Sequence, residues 1–167
     1  MKTKFKTILL LALAILFVSS CKKDEKDKNL KFEDVVGTYQ FTNNETGEIE
    51  TFELDIIKHG NTKELLFTYK SADFRIEFAA SEDGSSYNDE KKDVFRMAYS
   101  DVDRVSMVCH ESSFEDDGIK YYDSYLQLAV ERNNTAYLYM TYYYKEWRGG
   151  GFQIQEHNIQ SAATKIK

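Results

Sequence analysis

Hydrophobic and polar residues change places with a period of two over most of the chain, and the elements follow from where that alternation starts and stops. Phe32, Val35 and Val36 are spaced for one apolar face of a single helical turn, and Gly37 ends it. Thr38 to Thr42 reads as the first strand. The turn cluster Asn43 to Gly47 leads into Glu48 to Lys58, where Phe52, Leu54 and Ile56 share one face and Glu53 and Asp55 the other. His59-Gly60-Asn61 turns the chain back. Leu65, Phe67 and Tyr69, then Phe74, Ile76 and Phe78, give two more strands with one wet face each. Beyond the long polar loop Ser81 to Lys92, Phe95, Met97 and Tyr99 mark a strand, Asp101 to Asp103 a turn, and Val105, Met107 and Cys109 the partner strand. Asp116-Asp117-Gly118 breaks the pattern again. "WRGGGF" reverses the chain into Phe152 to His157, with Ile159 to Ile166 as a short final strand or packing tail.

The hairpin around Asn133-Asn134 allows a test of register. Leu126, Leu128 and Val130 share one face, as do Leu138 and Met140 on the returning strand. A two-residue loop pairs Leu128 with Tyr139 and sets the apolar faces on opposite sides of the sheet. The three-residue loop Arg132-Asn133-Asn134 pairs Leu128 with Leu138 and joins them, provided an Asn takes the left-handed conformation. The outer face then carries Tyr137, Tyr139 and Tyr143 beside Tyr125.

Eight or nine antiparallel strands joined mostly by short turns, with no helix between them, imply an all-β fold: an up-and-down β-barrel of about eight strands, or alternatively a β-sandwich. The absence of proline, with 12 Tyr and 11 Phe, suits strands joined by Gly, Asn and Asp turns. Nothing argues for a second domain after residue 30.

The first thirty residues have another character. Lys2, Lys4 and Lys6 precede eleven apolar residues, Ile8 to Val18, the length of a signal-peptide core and too short to span a bilayer, which takes about 20. Val18-Ser19-Ser20-Cys21 resembles the bacterial lipobox, which implies cleavage before Cys21 and acylation of its thiol. Several acyl chains, at about 0.8 kcal/mol per buried methylene, hold a protein to a membrane essentially permanently. The expected organisation is therefore a signal peptide over 1–20, an acylated flexible tether over 21–30 and a single β-barrel domain over 31–167. Lys22 to Asn29 has no apolar residue and cannot bury enough surface to fold. Within it, Lys23-Asp24-Glu25 resembles the export signal of surface lipoproteins of Bacteroidota, which implies the outer membrane and its outward face.

Losing residues 1–20 leaves 19 basic against 28 acidic side chains, a net charge of −9 with histidines neutral. That balance excludes nucleic acid as an expected partner, since phosphate binding relies on clustered Lys and Arg. With Cys21 acylated, Cys109 in "RVSMVCHE" has no partner for a disulfide, and it reads as a buried small hydrophobe.

Phe32 to Phe41, "FEDVVGTYQF", resembles the opening of lipocalin-like outer-membrane lipoproteins, in which a helical turn precedes Gly-x-Trp on the first strand of the barrel. Here the motif is Gly37-Thr38-Tyr39, with Tyr in place of Trp. The resemblance implies an up-and-down barrel floored by that aromatic ring, and a non-enzymatic binding domain for a small apolar ligand or a partner protein.

Candidate chemistry is sparse. None of the three histidines has a metal-binding neighbour at useful spacing: His59 and His157 lie near turns, and His110 ends a strand beside Glu111. No nucleophile motif or phosphate loop occurs, and no cofactor or metal is expected. The acidic loops "SEDGSSYNDEKKD" and "FEDDG" lack the alternating spacing of a calcium loop and read as solvated. Tyr142, Tyr143 and Tyr144 send rings to both faces of their strand. The outer set, Tyr125, Tyr137, Tyr139 and Tyr143, is open to two readings. One is cross-strand aromatic pairing; the other is an exposed platform for a glycan or protein, which would make the chain an adhesin-like or inhibitor-like surface protein.

Overall fold

The computed structural model describes residues 28–71, 75–81, 94–116 and 119–167, with the side chains at 59, 94, 112–116, 119–123, 144–148 and 152 left aside. A single helical turn, α1 (Phe32–Val35), precedes nine strands: β1 (Gly37–Thr42), β2 (Ile49–His59), β3 (Thr62–Lys70), β4 (Arg75–Ser81), β5 (Val94–Ser100), β6 (Arg104–Asp116), β7 (Ile119–Glu131), β8 (Thr135–Arg148) and β9 (Gly151–Lys165). They form one antiparallel sheet in the order β4-β3-β2-β1-β9-β8-β7-β6-β5, nearly closed into a barrel. A single continuous sheet removes the sandwich alternative. The strands expected over Phe152 to His157 and Ile159 to Ile166 are one strand, β9, which pairs without a break along β8 from Thr135↔Thr164 to Arg148↔Gly151.

Each strand pairs with its neighbour in sequence except at β4 and β5, so the barrel is joined through the two ends of the domain and its seam lies in the middle of the chain. The β1–β9 join is short: Tyr39↔Lys165, Gln40↔Thr164 and Phe41↔Ala163. Where β1 stops, side chains of the following turn carry the ladder on. The Gln160 amide donates to Asn44 Oδ1 at 2.7 Å, Asn44 Nδ2 donates to the Asn158 carbonyl at 3.1 Å, and the Asn158 amide donates to Glu45 Oε1 at 2.7 Å. Backbone groups of β9 that β1 is too short to reach are satisfied in this way.

The β7–β8 hairpin has the register that the apolar faces demand. Leu128 pairs with Leu138, the loop is Arg132–Asn134, and Asn134 sits at φ 67°. Strand β5 departs from the apolar residues that mark it. Ala98 is fully buried and Tyr99 is exposed, so the face carrying Arg96 and Ala98 turns inward. The pairs Arg96↔Cys109 and Ala98↔Met107 fix that orientation, because Cys109 and Met107 are themselves buried. Small Ala98 opposite Met107 leaves no space for a larger ring.

Aromatic rings fill much of the interior. Tyr39 stacks on Phe52 at 5.1 Å and 3°, Phe52 meets Phe67 at 5.2 Å, and Phe41 touches both Phe52 and Tyr69 at 6.1 Å. Tyr69 continues to Tyr142 at 6.3 Å, and Tyr142 stacks on His157 at 5.0 Å. The end of the barrel where the chain enters is floored by Leu30, Phe32 and Val35, all buried. There the Tyr39 hydroxyl donates to the Val35 carbonyl at 2.7 Å, tying the ring of the Gly37-Thr38-Tyr39 segment to the helical turn beneath it. The Leu30 amide donates to the Asp101 carbonyl at 2.8 Å and Arg132 donates to the Lys28 carbonyl at 2.7 Å, so residues 28–30 lie beside the β5–β6 and β7–β8 turns.

Candidate functional site

The outer wall over β7, β8 and β9 is built from three rows of side chains that cross the strands. Alternation on β8 sends Ala136, Leu138, Met140 and Tyr142 inward, all buried, and Tyr137, Tyr139, Thr141 and Tyr143 outward. Register then assigns each outer residue its neighbours. Tyr137 lies between Ala129 and Ala162, Tyr139 between Gln127 and Gln160, and Thr141 between Tyr125 and Asn158.

Each row has its own consequence. Two alanines beside Tyr137 leave both sides of its ring open, and the residue is 51% exposed although large and aromatic. Tyr139 is half-buried and fixed: Tyr125 meets it edge-on at 5.7 Å, and its hydroxyl accepts from Thr141 Oγ1 at 3.4 Å. Tyr125 donates in turn to Gln127 Oε1 at 3.5 Å. The result is an open groove of about 430 Å³ lined by Gln127, Ala129, Tyr137, Tyr139, Gln160 and Ala162, with no charged side chain in its lining among the described residues. That volume lies within the range of ligand sites, roughly 300–1,000 Å³.

Of the tyrosines singled out from the sequence, all four are on strands that form this wall. Tyr137 and Tyr139 line the groove, Tyr125 supports it from one side, and Tyr143 lies farther along β8 opposite Glu156 and Tyr122. Sequence reasoning missed Gln127, Gln160, Ala129 and Ala162. The signal for Gln127 and Ala129 was present in the hairpin register, which sets Gln127 opposite Tyr139 and Ala129 opposite Tyr137; Gln160 and Ala162 come from the β8–β9 pairing, which the sequence pattern left unset.

A second opening, of about 500 Å³, lies at the end of the barrel floored by Leu30, Phe32 and Val35, among Asp101, Asp103, Arg104, Glu131, Arg132 and Asn133. Its carboxylates do not make a cation site: among the described residues no group of three His, Cys, Asp or Glu could hold a metal ion.

The interior carries a small polar cluster where β5, β6 and β7 run side by side. Arg96 pairs with Glu111, which is only 6% exposed, and Ser124 stands opposite Glu111 on β7 with its hydroxyl buried and without a hydrogen-bond partner among the described residues. Cys109 is opposite Arg96, and burial pushes its thiol up to about 12, so the sulfur is protonated and inert at neutral pH.

His157 lies well inside β9 instead of near a turn, and its Nδ1 is 2.8 Å from Glu45 Oε2. The same carboxylate accepts the Asn158 amide through its other oxygen, so Glu45 acts as a clamp between turn and strand. His110 ends up opposite Phe95 and Tyr125. Cys21, the tether over 21–27, the acidic loop over 82–93 and Asp117-Gly118 lie outside the described residues.

No family model matches the chain, and neither a curated protein nor a solved structure does.

Proposed function

We propose that this chain is a lipid-anchored outer-membrane binding protein, non-enzymatic, whose contact surface is the outer groove on β7, β8 and β9. The observation that carries the reading is Tyr137, a large ring half exposed between two alanines at a groove without charge. Exposed aromatic residues held on a rigid sheet are the side chains that dominate binding energetics, because they offer large area at little cost in conformational entropy.

The anchor rests on the sequence, from the lysines and apolar core ahead of Val18-Ser19-Ser20-Cys21 to the polar run after it. Lys23-Asp24-Glu25 adds the outward face of the outer membrane. A lipocalin-like small apolar ligand held inside the barrel is the weaker form of the reading. Tyr39, Phe52, Phe67, Tyr69 and Tyr142 already occupy interior space that such a ligand would need. A non-enzymatic role agrees with a protonated Cys109 and with a His157 whose carboxylate neighbour is committed to the Asn158 amide.

Two experiments test the two halves separately. Metabolic labelling with a fatty acid is expected to mark the natural chain in the membrane fraction and to leave Cys21→Ser unlabelled and soluble; a labelled Cys21→Ser protein overturns the anchor. The double variant Tyr137→Ala/Tyr139→Ala is expected to keep its fold and lose its ligand, and retained binding overturns the surface.

A further inference from the structure

We infer that the groove takes an uncharged saccharide chain, an assignment that rests on the outer wall being the contact surface. Three observations point there.

The first is charge. Charged residues make up 30% of the sequence, yet among the described residues the groove lining has none, and the protein as a whole is anionic. An acidic glycan or a nucleic acid would meet long-range repulsion with no local cation to offset it, while a basic ligand would find no carboxylate in the groove.

The second is the order of the side chains. Tyr137 offers an open ring between Ala129 and Ala162, suited to the apolar C–H face of a pyranose. The next row supplies Gln127 and Gln160 on either side of Tyr139. A primary amide carries two donors and a carbonyl acceptor, and a sugar hydroxyl both donates and accepts, so the two chemistries complement each other without a net charge. Rows on one face of a strand are about 6.7 Å apart, which sets a stacking position and a hydrogen-bonding position side by side along one ligand. Tyr139 is already oriented by Thr141 and Tyr125, so little ordering is left to be done on binding.

The third is the shortage of apolar area. A stable protein interface buries about 800 Å² on each side around an apolar centre. Tyr137 is the one exposed large hydrophobic in the groove. Among the described residues the others are Ile49, Tyr99, Ile154 and Ile166, and none of them lines it. One ring with flanking amides is sparse for a protein partner and sufficient for a sugar chain.

The experiment uses the full Cys21→Ser chain, so that acylation plays no part, and titrates it calorimetrically with cellohexaose, maltohexaose, xylohexaose and mannohexaose, with oligogalacturonate as the charged control. Binding to at least one neutral oligosaccharide and none to oligogalacturonate is expected. Tyr137→Ala should weaken that binding about tenfold or more. Ala162→Leu, which narrows the space beside the ring and keeps the ring itself, should weaken it as well. Unchanged melting temperatures would show that both variants remain folded. Failure of every neutral oligosaccharide to bind overturns the inference, as does binding that both variants leave intact. A purified protein ligand lost on Tyr137→Ala, with no saccharide bound, would uphold the contact surface and overturn the saccharide. An unacylated natural chain would overturn the anchor and leave the groove as it is.

Discussion

Tyr39 illustrates what a single residue contributes and how far its role could be read in advance. Its place in Gly37-Thr38-Tyr39 marked it as a floor for the barrel, and it is fully buried on Phe52 with its hydroxyl on the Val35 carbonyl. Tyr39→Phe keeps the ring stack and removes only that bond, and denaturant unfolding should show a loss of about 1 kcal/mol. The same burial makes the fold sensitive to alkali. Desolvation pushes the Tyr39 hydroxyl from 10.0 up to about 12 and the Cys109 thiol from 9.0 up to about 12, and it raises Tyr69, which also donates to Glu50. All three are neutral when protonated and have raised pKa values in the folded state, so the unfolded chain loses these protons first. Their contribution is complete below pH 9 and drains away as the pH rises toward 12. Melting temperatures are expected to fall across that window and to fall less in Tyr39→Phe and in Cys109→Ala; a flat profile for the natural chain would contradict the burial argument. Arg96 was not legible as an interior residue. An arginine enters a barrel only with a carboxylate to meet it, and its partner Glu111 lies on the neighbouring strand, fifteen residues on, where alternation within "VFRMAYS" gives no hint of it.

At the level of elements, local alternation fixes faces well wherever one side of a strand is strongly apolar, and fails where it is not. The β7–β8 hairpin was legible to the residue because Leu128 and Leu138 each belong to an apolar run, and only a three-residue loop joins those runs on one side. Deleting Ala136 should therefore prevent folding, since with the three-residue loop kept the shortened strand would bring Tyr139 opposite Leu128. Asn134→Val forces a β-branched side chain into a left-handed position and should cost about 1–2 kcal/mol. Chemical unfolding of both variants checks the argument, and a deletion that folds with natural stability would refute it. Strand β5 is the opposite case: Phe95, Met97 and Tyr99 are the larger hydrophobics, but the space opposite Met107 suits Ala98. Gly37 has a reason that sequence could not supply. Its φ is +148°, and a Cβ there would lie 2.2 Å from the carbonyl oxygen of Lys167, which also accepts the Thr38 amide. Gly37→Ala must push the C-terminal residues off β1, and a loss of roughly 1–3 kcal/mol is expected. A variant with undiminished thermal stability would show that this end of the chain yields freely.

For the whole molecule, the number of strands and their antiparallel order could be read from turns and alternation, while the position of the seam could not. Nothing local distinguishes the β4–β5 connection, with its long polar loop, from a long hairpin; only the closure of β1 onto β9 moves the gap to the middle of the chain. That closure also gives the domain two different ends. The floor of Leu30, Phe32 and Val35, the Asp101–Asp103 turn and the Arg132–Asn134 loop share the end that holds Lys28, whereas the Asn43–Glu48 turn and Gly149-Gly150 lie at the other. Lys28 lies seven positions beyond Cys21. Even fully extended, those seven steps span about 25 Å. Strand β8, with 14 residues, is about 45 Å long, and tilt in a barrel leaves about 35 Å of that along the axis. If Cys21 holds the acyl chains, the tether is shorter than the barrel is tall, and the end bearing Asp103 stays closer to the lipid than the end bearing Glu48. The groove around Tyr137 then faces sideways from the membrane, accessible to a chain running parallel to the surface. A fluorophore on Asp103→Cys in the acylated protein should be quenched strongly by headgroup-linked quenchers in vesicles, and one on Glu48→Cys only weakly; Cys109 does not compete for the label because it is buried. Equal quenching at the two positions would mean that the domain tumbles freely on its anchor, and the reverse order would place the tether at the wrong end.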